Sequence, residues 1–441
     1  MTQRVNFHDL SKLSQGERRK LLQRTEADLS SYEDKVRAII AAVRKEGDAA
    51  LARFARDFDK APVQASEIAA TESDFALAEK ALDPEVRAAM EYAADAIRKF
   101  HEDQKPHEMW LHEMRPGAFA GDRVRAIPSA ACYVPRGKGA FPSVALMTSI
   151  PAKVAGVRDL IIVTPPGLNG KIDDATLVAA RMAGVDKVFK AGGAQGIAAV
   201  AYGTETVPKV AKVIGPGSPW VAVAKRMVSH VIDTGTPAGP SELIVLADDT
   251  IDGRLAALDL LIESEHGPDS SAYLVTWSRR VAQEARAAIP QYWAKMGVQR
   301  RGFSSTVLSG PIGGIVLARD AAEAIAFIND YAPEHLEVLA KEPFQYLGRL
   351  DHAGEILLGE NTPTTLGNYV LGPNHVLPTS GWARTASPVS TFDFMKRTSI
   401  AYVTSRAYPE LAKNARTLAT YEGFEGHANA VSPLRDEILK R

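Results

Sequence analysis

Four short stretches of this chain concentrate side chains that can hold a metal ion or move protons. In "LLIESEHGPDSS", residues 260–271, Glu263 and His266 close an apolar run just before a Gly-Pro break. On a helix their i, i+3 spacing puts both on one face, where a carboxylate oxygen and an imidazole nitrogen can approach one ion. The same pattern suits a polar helix C-terminus, where histidine favours the dipole. In "NDYAPEHLEVL", residues 329–339, Pro333 breaks or starts a helix and leaves Glu334 and His335 adjacent near a loop. An adjacent acid and imidazole can divide proton work between two steps. A helix N-terminus with Glu334 in its first turn is the plainer alternative. "TTLGNYVLGPNHVLPT", residues 364–379, carries Asn368, Asn374 and His375 among glycines and prolines. Such residues fix irregular backbone, which serves sites and ordinary structured loops alike. "YEGFEGHANAV" sets Glu422, Glu425 and His427 after a helical run, a pattern that also describes the solvated face of a tail helix.

Two glycine-rich turns complete the set, "AGGAQG" at 191–196 and "IGPGSPW" at 214–220, each after an apolar strand candidate. Glycine there lets backbone approach a phosphate, and a following helix N-terminus favours negative charge. Neither turn fits the GxGxxG fingerprint. Taken together, these groups offer nitrogen and oxygen donors without thiolate, and two approaches for phosphate. That combination suits Zn²⁺ or a similar divalent ion together with a nucleotide.

The elements that must position these groups follow from pattern. At 441 residues the chain needs more than one core, and 46% apolar with 24% charged residues describes a soluble globular protein. A formal net charge of −1 leaves no electrostatic footprint for nucleic acid or anionic membrane. With Cys132 as the single cysteine there is neither a disulfide framework nor a thiolate cage. The first twenty residues lack the apolar core of a secretory signal, and no apolar run is long enough for a membrane span, so a cytoplasmic location is expected. Residues 10–130 read as mostly helical, with Gly47 a break and Asp83-Pro84 a helix start. "SAACYVPRG", "DLIIVTPPG", "DKVFKAGG", "ELIVLADD" and "GEILLGEN" are short apolar strands alternating with helices, which implies βαβ units and parallel sheets.

Ten collinear stretches, among them "IPAKVAGV", "AGGAQGIAA", "AGPSELIVLAD", "ESEHGPDS", "YAPEHLEV", "NHVLPT" and "EGFEGHA", carry a resemblance to the histidinol dehydrogenase family over nearly the whole chain. The resemblance implies an α/β fold of two Rossmann-like parallel-sheet domains with a helical N-terminal arm and a C-terminal tail. The expected division is an arm over 1–30, a first α/β domain over 31–130 and 240–388, a nucleotide-binding domain over 131–239, and a helical tail over 389–441. It further implies a homodimer, with the tail reaching the partner's site, and a zinc-dependent, NAD-linked oxidation of a primary alcohol through the aldehyde to the acid. On that pattern Glu334 and His335 fall on the catalytic positions, with His335 taking the alcohol proton and Glu334 helping to activate water. Glu263, His266, Asn368 and His427 fall on metal ligands, Ser241 and Glu422 on substrate contacts, and Tyr133, Gln195 and Ser218 on cofactor contacts.

The departures from the family pattern are chemically pointed. Glu263 stands where the family has a metal-binding Gln, and Asn368 where it has Asp, so the pair still supplies one carboxylate and one amide oxygen. That conserved sum argues for a working metal site, while the swap argues for a different substrate. Arg136 and Lys138 add two cations in "YVPRGKG", and Ser218 replaces a cofactor-contacting Asn. Arginine suits bidentate contact with sulfonate, phosphate or carboxylate, though both cations can equally face solvent or the cofactor's phosphates. Within the family the pattern is most similar to the sulfopropanediol 3-dehydrogenase branch, which oxidises (R)-2,3-dihydroxypropane-1-sulfonate to (R)-sulfolactate. A small anionic hydroxy compound is therefore the expected substrate. Oxidation of L-histidinol is the alternative, and a non-catalytic binding homologue the third reading.

Overall fold

The structure, a computed structural model, describes residues 4–24, 29–136 and 139–439. Lys138 lies outside them. The strands, in chain order, are β1 (Phe7–Asp9), β2 (Met109–Arg115), β3 (Ala118–Ala126), β4 (Ser129–Tyr133), β5 (Asp159–Thr164), β6 (Val188–Lys190), β7 (Lys212–Ile214), β8 (Glu242–Ala247), β9 (Ser271–Thr276), β10 (Gly313–Leu317), β11 (His335–Leu339), β12 (Glu355–Leu358) and β13 (Met395–Val403). By its contacts the chain divides into two compact units, one of 1–105 with 127–394, the other of 106–126 with 395–441.

The first unit holds two parallel sheets. One runs β1-β10-β9-β8-β11-β12, and its inner strands are apolar on both faces, as parallel strands covered by helices must be. Leu243, Val245, Leu274 and Ile315 face the helices Gly253–Ser264, Arg279–Trp293 and Val298–Ser309. Ile244, Leu246, Val275, Val316, Leu336 and Val338 face the helix Ala321–Tyr331. Asp252 caps the first of these helices, its side chain accepting from Arg254 N at 2.9 Å. Asp320 caps the last, accepting from Glu323 N at 2.8 Å. That helix ends at Ala332, left-handed at φ 54°, and Pro333 prevents its continuation. The next residues turn straight into β11, so His335 opens a buried strand rather than a loop or helix.

The second sheet runs β6-β5-β4-β7. The chain moves outward from β4 to β6, then returns to place β7 on the other side of β4. The carboxyl ends of β4 and β7 thus form a topological switch point, the usual nucleotide crevice of such sheets. Gly215, just after β7, has φ +128°, and a Cβ there would lie 2.1 Å from the Tyr133 carbonyl oxygen at the end of β4. Buried Lys225 donates to the Gly215 carbonyl at 2.6 Å and fixes the turn from below; burial pushes its ammonium down to about 8.

The helices Ser30–Glu46 and Asp48–Asp57 were expected to join residues 240–388. Instead Val36, Ile39, Ile40, Val43, Leu51 and Phe54 share one core with Ala131, Ile161, Ile197 and Val221 of the second sheet and its helices. Helix periodicity identifies an apolar face but not its partner. Gly47 separates these two helices at φ +56°, and Asp83 caps the helix Pro84–Asp103, both as expected. The N-terminal segment is more than a helical arm, because β1 pairs with β10.

The second unit is an antiparallel sheet, β13-β3-β2, followed by the helices Tyr408–Tyr421, Glu425–Ala430 and Pro433–Leu439. The tail was expected to be helical and 10–130 mostly so. The hairpin β2–β3 turns at Gly117, φ +78°, and β13 pairs along β3 from Met395↔Ala126 to Val403↔Ala118. β2 is exposed along its whole length, so it lacks the alternation that reveals a half-buried strand. No described helix is long and apolar enough to cross a membrane.

Gly215→Ala should lower the urea midpoint, by an amount equivalent to about 1–3 kcal/mol for strain at positive φ plus displacement of β4. Chemical denaturation monitored by tryptophan fluorescence checks this.

Candidate active site and metal centre

Three elements of the first unit bring the sequence-derived groups together. The helix Gly253–Ser264 supplies Glu263, with His266 just past its end, His266 N bonding Glu263 O at 3.2 Å. β11 supplies His335, preceded by Glu334. The short helix Thr364–Tyr369 supplies Asn368. Asn368 Nδ2 donates to Glu263 Oε1 at 2.7 Å. His266 Nδ1 lies 2.9 Å from Glu263 Oε2 and 2.9 Å from Ser241 Oγ. His335 Nε2 stands 4.0 Å from both Glu263 Oε1 and Glu334 Oε2. Glu334 Oε2 in turn accepts from Glu242 N at 2.8 Å. Glu263, Glu334 and His335 are 1%, 7% and 3% exposed, so their charges cannot be left to water.

The electrostatics follow from that burial. Desolvation alone would raise the Glu263 carboxyl, but His266, His335 and the Asn368 amide hold it well below the usual carboxylate range. Burial pushes Glu334 up to about 8 despite His335 beside it. Burial would lower His335, yet Glu334, Glu355 and Glu263 outweigh it and raise the imidazole to about 9. His375, which contacts the Asn368 carbonyl through Nδ1 at 2.5 Å, is driven down to about 4 by burial and stays a neutral support for the Asn368 turn.

The donor set fits a divalent ion. Glu263 Oε2 is buried without a hydrogen-bond donor, although the His266 ring nitrogen is only 2.9 Å away. A carboxylate, an imidazole and an amide side chain drawn together at Glu263, His266 and Asn368 are the donor types that a borderline ion such as Zn²⁺ takes. Among the described residues no group of three or more His, Cys, Asp or Glu side chains is placed to hold a metal ion. The expected set explains why, since one of its members is an amide. Another, His427, belongs to the second unit, where it is exposed and its ring packs 5.3 Å from Phe424. Glu422, at the end of the helix Tyr408–Tyr421, is exposed in the same unit.

The expected cofactor contacts line the second sheet. Tyr133 ends β4, and its hydroxyl accepts from Gly193 N at 3.0 Å. Gln195 is buried in the first turn of the helix Gly193–Tyr202, and Ser218 is the exposed N-cap residue of the helix Pro219–Val228. Arg136 turns toward this sheet as well. Its guanidinium reaches Lys171 O at 3.4 Å, fills the space beside Gly167, and faces Asp59, whose buried carboxyl is pushed up to about 6.

Two groups escaped sequence reasoning. Glu355 opens β12 directly opposite His335 in the ladder, and its Oε2 lies 3.2 Å from His335 Nδ1. A carboxylate at Nδ1 fixes the tautomer that leaves Nε2 to act as base. The signal was a charged residue opening an otherwise apolar strand, "GEILLGEN". The other is a buried layer one repeat from the site. Asp259 precedes Glu263 by four on its helix, Glu337 follows His335 by two on its strand, and Thr364 precedes Asn368 by four. Glu337 Oε2 accepts from Thr364 N and Oγ1, both at 3.0 Å, while Glu337 and Asp259 bond carboxyl to carboxyl. Burial raises both carboxyls above the usual carboxylate range, the Glu337 one further through its neighbour Asp259. That layer ties together the three elements that carry the site.

Comparison with known proteins shows what the chain is similar to. The family profile described as histidinol dehydrogenase matches residues 22–434. A histidinol dehydrogenase homolog 2 of Mesorhizobium japonicum is 61% identical over 435 residues, 99% of each chain. A histidinol dehydrogenase of Synechocystis is 48% identical over 430 residues, covering 98% of this chain and 99% of its own. The crystal structure of histidinol dehydrogenase from Elizabethkingia anophelis superposes with a TM-score of 0.92 at 30% identity, covering 100% and 99% of the two chains.

Replacing Glu355 by Gln should cut kcat by roughly 10- to 100-fold, the usual effect of removing a group that orients another. KM should stay within about twofold, which separates lost orientation from lost binding.

Proposed function

The chain belongs to the histidinol dehydrogenase family, and from that premise we propose a zinc- and NAD-dependent oxidation of a primary alcohol to a carboxylate, with (R)-2,3-dihydroxypropane-1-sulfonate as substrate and (R)-sulfolactate as product. The carrying observation is the buried cluster in which Glu263, His266 and Asn368 stand beside Glu334 and His335. Glu263, His266, Asn368 and His427 of the partner subunit would hold a zinc ion, which would supply Lewis acidity, and NAD would supply the hydride acceptor.

The chain's own residues account for the proton transfers. Glu355 holds Nδ1 of His335 and leaves Nε2 for the reacting centre, where the neutral ring, favoured as pH rises through its raised value of about 9, takes the alcohol proton. Glu334, a carboxyl kept near neutrality by burial and anchored by Glu242 N, is suited to handle the water proton of the second oxidation. Ser241, on His266 Nδ1, orients that ring and meets the substrate hydroxyl. Glu422 of the tail contacts substrate in the same reading.

The substrate rests on the exchange of amide and carboxylate between Glu263 and Asn368. It is supported by a division among relatives, those called homologs standing at 58–61% identity and one called histidinol dehydrogenase at 48%. Histidinol itself is the second reading, favoured by the intact Glu334–His335 pair.

With zinc-loaded enzyme, the sulfonate diol should reduce two equivalents of NAD per molecule, followed by absorbance of NADH. Robust oxidation of L-histidinol with none of the diol would reverse the assignment. If tails are exchanged in a homodimer, mixing refolded His427→Ala and His335→Ala chains should restore about a quarter of wild-type activity, since half the dimers are mixed and each has one intact site. Activity no higher than that of either variant alone would exclude exchange.

A further inference from the structure

The helix that carries Asn368 cannot hold itself together. It runs for 6 residues, Thr364–Tyr369, far below the length at which a helix persists unaided in water. Its N-cap residue is Pro363, whose side chain cannot accept from the first turn. The missing acceptor comes from another element. Glu337 Oε2 accepts from both Thr364 N and Thr364 Oγ1 at 3.0 Å, so a carboxyl of β11 caps the helix from outside.

On burial alone the position suits an apolar side chain better. Glu337 is wholly buried in mid-strand, between Val245 of β8 and Leu357 of β12 in the two ladders. His335 stands two residues before it on the same face of β11. Asp259, one turn before Glu263, faces it from the helix Gly253–Ser264. One turn beyond Thr364, Asn368 Nδ2 donates to Glu263 Oε1 at 2.7 Å. Between them Gly367 lets the helix lie against the Glu355 carboxyl, since a Cβ there would stand 2.9 Å from Oε1 and 3.0 Å from Oε2. The helix is thus seated at its start by Glu337 and along its side by Glu355.

We propose that Glu337 is a positioning residue that sets the zinc affinity of the centre by capping the Asn368 helix, an inference that rests on the zinc reading above. Glu337 touches neither ion, substrate nor cofactor in that reading. It acts by fixing where the Asn368 amide stands relative to Glu263, as the outer partners of metal ligands do.

The test is a zinc titration of the full-length chain, stripped of metal and competed against a chromophoric chelator, so that it needs no turnover. Glu337→Leu should weaken zinc binding by roughly 10- to 100-fold. Glu337→Gln keeps an acceptor for Thr364 and offers Asp259 a donor, and should stay within about threefold of wild type. Thr364→Val removes one of the two bonds and should fall between, which keeps the proposal falsifiable where Glu337→Leu fails to fold. Action through Asn368 has a signature that lost packing does not share: in an Asn368→Ala background the effect of Glu337→Leu should shrink to within about twofold. An equal loss in both backgrounds, or wild-type affinity in Glu337→Leu and Thr364→Val, overturns the positioning role and leaves the zinc reading intact. A wild-type chain that binds no zinc removes both.

Discussion

The burial of carboxylates around two imidazoles is the constraint on which this site depends. Glu263 is almost wholly removed from solvent, as are Glu334 and the side chain of Glu355. Uncompensated, each would cost several kcal/mol. His335 answers three of them at once, within 4.0 Å of Glu263 and Glu334 and 3.2 Å from Glu355, while His266 answers Glu263 from the other side. One further positive charge beside Glu263 would complete the balance, and a divalent ion is the economical way to supply it. The exchange that puts a carboxylate at 263 and an amide at 368 keeps the charge of the proposed ligand set and moves it from one helix to another.

The fold holds this arrangement through elements far apart in sequence. β11 lies between β8 and β12, so His335 has Leu243 as its neighbour in one ladder and Glu355 in the other. Beneath it, Glu337 reaches Thr364 and Asp259 along the same face of the strand. Hydrogen bonds to a buried carboxyl such as Glu337 are stiff, directional links, unlike a surface ion pair, whose long side chains are screened and mobile. The second sheet contributes through Asn374, whose Nδ2 donates to Met147 O at 2.5 Å and anchors the loop after Asn368 to the helix Pro142–Ala155.

Much of this was legible in the residues themselves. Short apolar runs marked β4, β5, β6, β8 and β12, and the clusters at 263–266, 334–335 and 368 proved to be neighbours. Less legible was whatever depended on a distant partner. Glu355 reads as the polar edge of a strand until the ladder sets it opposite His335. The hairpin β2–β3 and strand β13 lack buried alternation because the three-stranded sheet exposes most of their side chains. Of the cations of "YVPRGKG", Arg136 reaches Lys171 O and the space beside Gly167, and Lys138 lies outside the described residues.

The pairing of β1 with β10 joins Phe7 to Ile315 and Asp9 to Leu317. On the ribosome this strand emerges early but cannot find its ladder until some three hundred residues later in translation, because its neighbour does not yet exist. The nucleotide-type sheet, whose strands all lie between 129 and 214, can close well before then. Synthesis thus imposes an order of assembly in which the β4–β7 sheet matures first and the six-stranded sheet waits, with β1 as a free edge that a chaperone would have reason to shield.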